Sequence, residues 1–143
     1  MLIAMRSPNK NYVELLTYLV LGIAGLAMIY IGSLFQGIDI PKEQQDFIHY
    51  VNYNFTKRVG VAFFILGIVI GYSTKLNPLM SGICLFAVFP MATIIDVFIH
   101  PDSHNLWPFE FAMYFWYALP TILALYLGRF VANRIAKQKV QDV

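Results

Sequence analysis

The sequence predicts an all-α, polytopic membrane protein, an antiparallel bundle of four transmembrane helices. Three observations predict it. The chain is 59% apolar and 13% charged, where a soluble chain is roughly 45–50% and about 25%. Its mean hydropathy is +0.63. Its apolar residues fall into four runs with short polar stretches between them, and 143 residues make one domain.

A bilayer core about 30 Å thick takes roughly 20 helical residues to cross. The first span covers about 11–36. Asn11 stands as its N-cap with Glu14 three residues on, a capping-box pattern. The apolar run Leu15 to Phe35 is 21 residues long, against roughly 7–15 for the core of a cleavable signal. No small-x-small cleavage pattern follows it, so Arg6, Lys10 and this run read as a retained helix.

The second span covers about 57–74, but its apolar part, Val59 to Tyr72, is short. Upstream, FIHYVNYNFTKR repeats Phe47, Val51 and Phe55 at helical spacing, and an earlier helix start there would lengthen the span. The third, about 78–99, opens on Asn77-Pro78, a helix-start signal, and Pro90 should kink it. The fourth, about 108–131, contains Pro120 as a second expected kink. An outer loop over 37–56, a tight Ser73-Thr74-Lys75 turn and a basic tail over 132–143 complete the plan.

Lysine and arginine set the orientation. Four spans put both termini and the Lys75 turn on one side, with Arg6, Lys10, Lys75, Arg129, Arg134, Lys137 and Lys139. The other side holds Lys42, Lys57 and Arg58. Both termini are therefore expected in the cytoplasm and the protein in the cell membrane. The basic tail would rest on anionic headgroups, each charge contributing about 1 kcal/mol near the surface. The net charge of +2 gives no reason to expect nucleic acid as a partner.

In lipid, helices associate through close packing and hydrogen bonds rather than apolar burial. Small residues mark the expected seams: Gly67 and Gly71 with Gly60 in the second span; Ala124, Gly128 and Ala132 in the fourth; Gly22, Gly25 and Gly32 in the first. Trp107, Phe109, Phe111, Tyr114, Phe115, Trp116 and Tyr117 read as an aromatic belt at headgroup level. The single cysteine, Cys84, lies in an apolar run and reads as structural.

The outer side collects Asp39, Glu43, Asp46, Asp96, Asp102 and Glu110, six of the eight acidic residues, and all three histidines, His49, His100 and His104. Asp96 and His100 share a helix face at i, i+4. Asp102 and His104 follow in the next loop, and Glu110 falls in a first helical turn, where the dipole favours a carboxylate. Asp96, His100, Asp102, His104, Glu110 and His49 are the ligand or ion candidates; His100, His104 and Asp96 are the metal candidates, of mixed N/O type suited to a divalent metal. Asp96 lies about 27 Å along its span at about 1.5 Å per residue, near the outer boundary. There a structural ion pair with Lys57 or Arg58 competes with a functional role.

No Gly-x-Ser-x-Gly elbow, HExxH or cysteine pair is present. Histidines at one end do not face each other as haem ligands must. The leading expectation is a small binding or accessory protein, lipid-embedded, self-associating or joined to a membrane partner, whose outer polar cap meets a ligand, ion or partner. A channel or transporter subunit in an oligomer is the alternative, and a membrane enzyme using Asp96, His100, His104 and Glu110 the third.

Overall fold

The computed structural model describes residues 10–37, 47–100 and 107–141. These form α1 (Lys10–Gln36), α2 (Phe47–Asn54), α3 (Lys57–Ser73), α4 (Pro78–Leu85), α5 (Val88–Ile99) and α6 (Trp107–Gln141), with no strand among the described residues. By length and composition, α1 and α6 can each cross a membrane, while α2–α3 and α4–α5 qualify as bent pairs. The chain therefore carries two to four candidate spans and is membrane-associated.

The helix ends follow local chemistry. Gly37 adopts φ +55°, and its N–H points at the Ser33 carbonyl 3.4 Å away, the left-handed glycine stop that ends α1. Asn11 does not cap this helix. It lies within the helix, because Lys10 before it is already helical. Asn77 caps α4 as its side chain suggested: Oδ1 accepts from the N–H groups of Leu79 at 2.9 Å and Met80 at 3.3 Å, and Pro78 fills the first helical position.

Upstream of α3 the expected helix forms, but it does not lengthen the span. Thr56 is extended, and α2 turns 81° away from α3. At 17 residues, α3 alone rises about 25 Å. Pro90 has the anticipated effect on the third run, which breaks by 44° between α4 and α5. A proline cannot donate to the carbonyl four residues back. That carbonyl, on Phe86, takes the Phe89 N–H at 3.1 Å instead, and Ala87 donates to Cys84 at 3.2 Å.

Pro120 does not break α6, which is helical on both sides of it. Buried Tyr114 and Ala118 before it and Ile122 and Leu125 after it hold the helix against its neighbours. Nor does the helix stop near 131; it continues into the basic tail as far as Gln141. No glycine or proline follows Gly128 to end it.

The glycines explain the packing. Consecutive long elements run antiparallel, as when Arg129 Nη2 of α6 donates to the Leu76 carbonyl at 2.6 Å while Thr93 of α5 meets Glu110. The closest seams, however, join helices that run the same way. Gly67 lies on Thr121 and Ala124, Gly71 on the Leu125 backbone, and Gly128 on the backbone of Ile68 and Tyr72, so α3 and α6 ascend together. In the same sense, Gly22 and Gly25 of α1 lie on Cys84 and Leu85. The small-residue seams of the second and fourth runs therefore meet each other within the chain.

Substitution at Gly71 tests this seam. An added Cβ would collide with the Leu125 carbonyl, whereas at Gly60 the nearest atom to an added Cβ is Phe55 Cζ at 3.9 Å. Gly71→Ala should lower stability by about 1–3 kcal/mol through overpacking. Gly60→Ala should be neutral or raise it by roughly 0.5–1 kcal/mol through helix propensity. Thermal unfolding of both variants in detergent reads the difference, and equal stability of the two would refute the seam.

Candidate functional site

The elbow between α2 and α3 and the break between α4 and α5 are packed into one aromatic cluster. The Phe55 ring sits 5.0 Å from Phe89, 5.7 Å from Phe86 and 6.0 Å from Phe63, centroid to centroid. Tyr117 of α6 closes on Phe55 at 5.5 Å, and Tyr114 on Phe89 at 5.2 Å. Phe63, Phe86 and Phe89 are buried.

On this floor stands a polar group at one end of the helices. Thr93 of α5, fully buried, places Oγ1 3.1 Å from Glu110 Oε2 and 3.1 Å from the Tyr114 hydroxyl, both on α6. The threonine has one proton for these two contacts, and an ionised Glu110 can only accept, which makes Glu110 the favoured recipient. Asn52 of α2 lies in reach of the same Tyr114 hydroxyl. Three helices thus contribute hydroxyl, amide and carboxylate groups to one site, in which Thr93 and Tyr114 are buried, Glu110 is half-buried and Asn52 is exposed.

One turn further along α5, Asp96 is 6% exposed, and its Oδ1 lies 3.0 Å from Nδ1 of His100. His100 ends the helix: its backbone N–H donates to the Asp96 carbonyl at 2.7 Å, and its ring is more than half exposed. The pair therefore runs from the interior to the surface. The structure brings together Asp96 with His100, and Glu110 with Thr93 and Tyr114.

Other expected members are placed elsewhere. Lys57 and Arg58 are exposed in the first turn of α3, and among the described residues neither pairs with Asp96. The expected Asp96–Lys57 or Asp96–Arg58 bridge is replaced by the i, i+4 contact with His100. His49 stacks on Tyr53 within α2, rings 6.4 Å apart. Asp102 and His104 lie outside the described residues. Among the described residues no three His, Cys, Asp or Glu side chains gather as a metal-ligand set. Asp96 and His100 alone supply two ligands, where zinc takes three or four.

No protein family, curated protein or solved structure matches this chain. The site must be read from its own chemistry. Its two neighbouring contacts, a carboxylate with hydroxyls and a carboxylate with an imidazole, can each meet a positive charge or exchange a proton.

Sequence reasoning passed over Thr93, Tyr114 and Asn52. Tyr114 departs from the expected aromatic belt: it is 3% exposed, while its neighbours Phe109, Phe115 and Trp116 face outward. A signal was present. Thr93, Asp96 and His100 fall at i, i+3, i+7 on one face of α5, and Glu110 and Tyr114 at i, i+4 on α6.

Thr93→Val keeps the shape of the side chain and removes the shared hydroxyl. Leaving Glu110 and Tyr114 without it should cost about 1–3 kcal/mol. With Tyr114→Phe, a double-mutant cycle on thermal unfolding should show coupling of about 0.5 kcal/mol or more. Strict additivity would mean that the two hydroxyls do not interact.

Proposed function

We propose that the chain is a four-span helical bundle in the cell membrane, with both termini in the cytoplasm, acting as a binding or accessory protein. Its outer polar cap engages a cationic ligand. The observation that carries this reading is that two polar contacts, Thr93 with Glu110 and Tyr114, and Asp96 with His100, fall one turn apart on α5 at the same end of the helices, with His100 leading out to the surface. Acidic residues dominate that side of the sequence, so the field there favours a positive charge.

The arrangement supports binding over conduction. Below the polar group the interior is filled by the Phe55, Phe63, Phe86 and Phe89 rings, which stand where a wet path through a single chain would pass; a path between copies in an oligomer is the channel reading that remains. Catalysis would need a further reacting group beside Asp96 and His100. Binding needs the charges already gathered there.

Thermal unfolding in detergent, run against magnesium, zinc and spermidine separately, tests the proposal. A ligand at a hundredfold excess over its Kd stabilises by about 2.7 kcal/mol. At least one of the three should stabilise the wild type, and Asp96→Asn or Glu110→Gln should abolish the shift. Stabilisation that both variants retain, or none in the wild type, would sink the acidic-cap reading. Elemental mass spectrometry of wild type and His100→Ala/His104→Ala then separates a bound metal from an organic cation. For orientation, a reporter that folds only in the cytoplasm should be active when fused after Val143.

A further inference from the structure

A groove opens between α1 and α3, near the helix ends that carry the polar group. Its volume is about 180 Å³. Met28, Ile31, Phe35, Val59 and Ala62 form apolar walls, and Arg58 and Gln36 stand among its lining residues. Gly32 lets the two helices approach here, lying against the Val59 side chain. Gln36 is already oriented: its amide donates to the Gly32 carbonyl at 2.9 Å.

The charge at this groove is placed at a cost. Lys57 and Arg58 occupy the first turn of α3, no acidic residue shares that turn, and the Thr56 cap makes no side-chain hydrogen bond. Cations at a helix N-terminus oppose the helix dipole. Arg58 is exposed and has no carboxylate partner among the described residues, although acidic residues crowd this end of the sequence. Sited between membrane helices, a basic group above apolar walls has the chemistry that holds an anionic lipid: headgroup on the cation, acyl chain in the groove.

We propose that the α1–α3 groove binds one anionic phospholipid, with Arg58 taking the phosphate and the Met28–Ile31–Phe35–Val59–Ala62 walls taking an acyl chain. The guanidinium forks onto phosphate oxygens in a way that a lysine cannot. This inference rests on the membrane setting alone and is independent of what the acidic cap binds.

Native mass spectrometry of the full chain, released from mixed phosphatidylglycerol and phosphatidylcholine nanodiscs, tests it. The wild type should retain phosphatidylglycerol over phosphatidylcholine by about fivefold, the effect of one headgroup charge pair. Arg58→Gln should bring the ratio near one, and Ala62→Trp, which fills the groove, should remove retained lipid of both kinds. Arg134→Gln, on the far segment of α6, should leave the ratio unchanged. Equal retention of the two lipids by the wild type would overturn the proposal. So would a preference that survives Arg58→Gln, or one that disappears with Arg134→Gln and so belongs to the basic tail.

Discussion

Direct backbone contact between helices that run the same way is the constraint on which the rest of this structure depends. Lipid offers an apolar side chain nothing that it lacks elsewhere, so helices are held by dispersion at short range and by hydrogen bonds. Gly71 against Leu125 and Gly128 against Ile68 bring α3 onto α6; Gly25 against Leu85 brings α1 onto α4. These approaches leave no room for a Cβ. Once α3 and α6 are joined, α4 is confined beside α6, with Gly82 under Ile122. Polar ties then finish one end: Arg129 on Leu76, and the Tyr18 hydroxyl accepting from the Asn77 N–H at 3.2 Å while it faces Glu14.

At the opposite end, two interruptions of helical order replace regularity with a site. The extended Thr56 swings α2 across the helix ends, and the proline-induced break at Phe86 redirects α5. Phe55, at the first interruption, packs on Phe86 at the second. The two irregularities support each other. α2 is further held to α1 where Ser33, already donating to the Tyr30 carbonyl, accepts from Tyr50 at 2.8 Å. The elbow thus carries Asn52 towards Tyr114, and α5 carries Thr93 and Asp96 towards α6.

The same arrangement separates two kinds of surface chemistry. Between α5 and α6, carboxylates and hydroxyls are sheltered above an aromatic floor, an environment suited to a positive charge. Between α1 and α3, an exposed arginine stands over apolar walls, suited to a negative headgroup with a hydrocarbon tail. Both lie near the same helix ends, and they differ because one carries Asp96 and Glu110 on α5 and α6 while the other carries Arg58 in the first turn of α3.

Much of this was readable along the chain, and the part that was not has a physical reason. Hydropathy located the apolar runs, because burial in lipid is a property of a residue's own surface. Asn77-Pro78 and Pro90 announced their helix start or break, because each acts on backbone groups within four residues. The Asp96–His100 pair was legible for the same reason, being one helical turn apart. The course of the backbone at Thr56 was not: helical spacing through Phe47, Val51 and Phe55 continues across the 81° turn, and nothing local distinguishes a straight helix from a folded one. Nor did Pro120 reveal that its helix would stay unbroken, since the buried residues on either side decide that. Which glycine stripe meets which, why Tyr114 turns inward while Trp116 faces out, and why Asp96 meets His100 rather than Arg58 were decided by tertiary structure. Each depends on distances between segments far apart in the chain, which composition and periodicity do not encode.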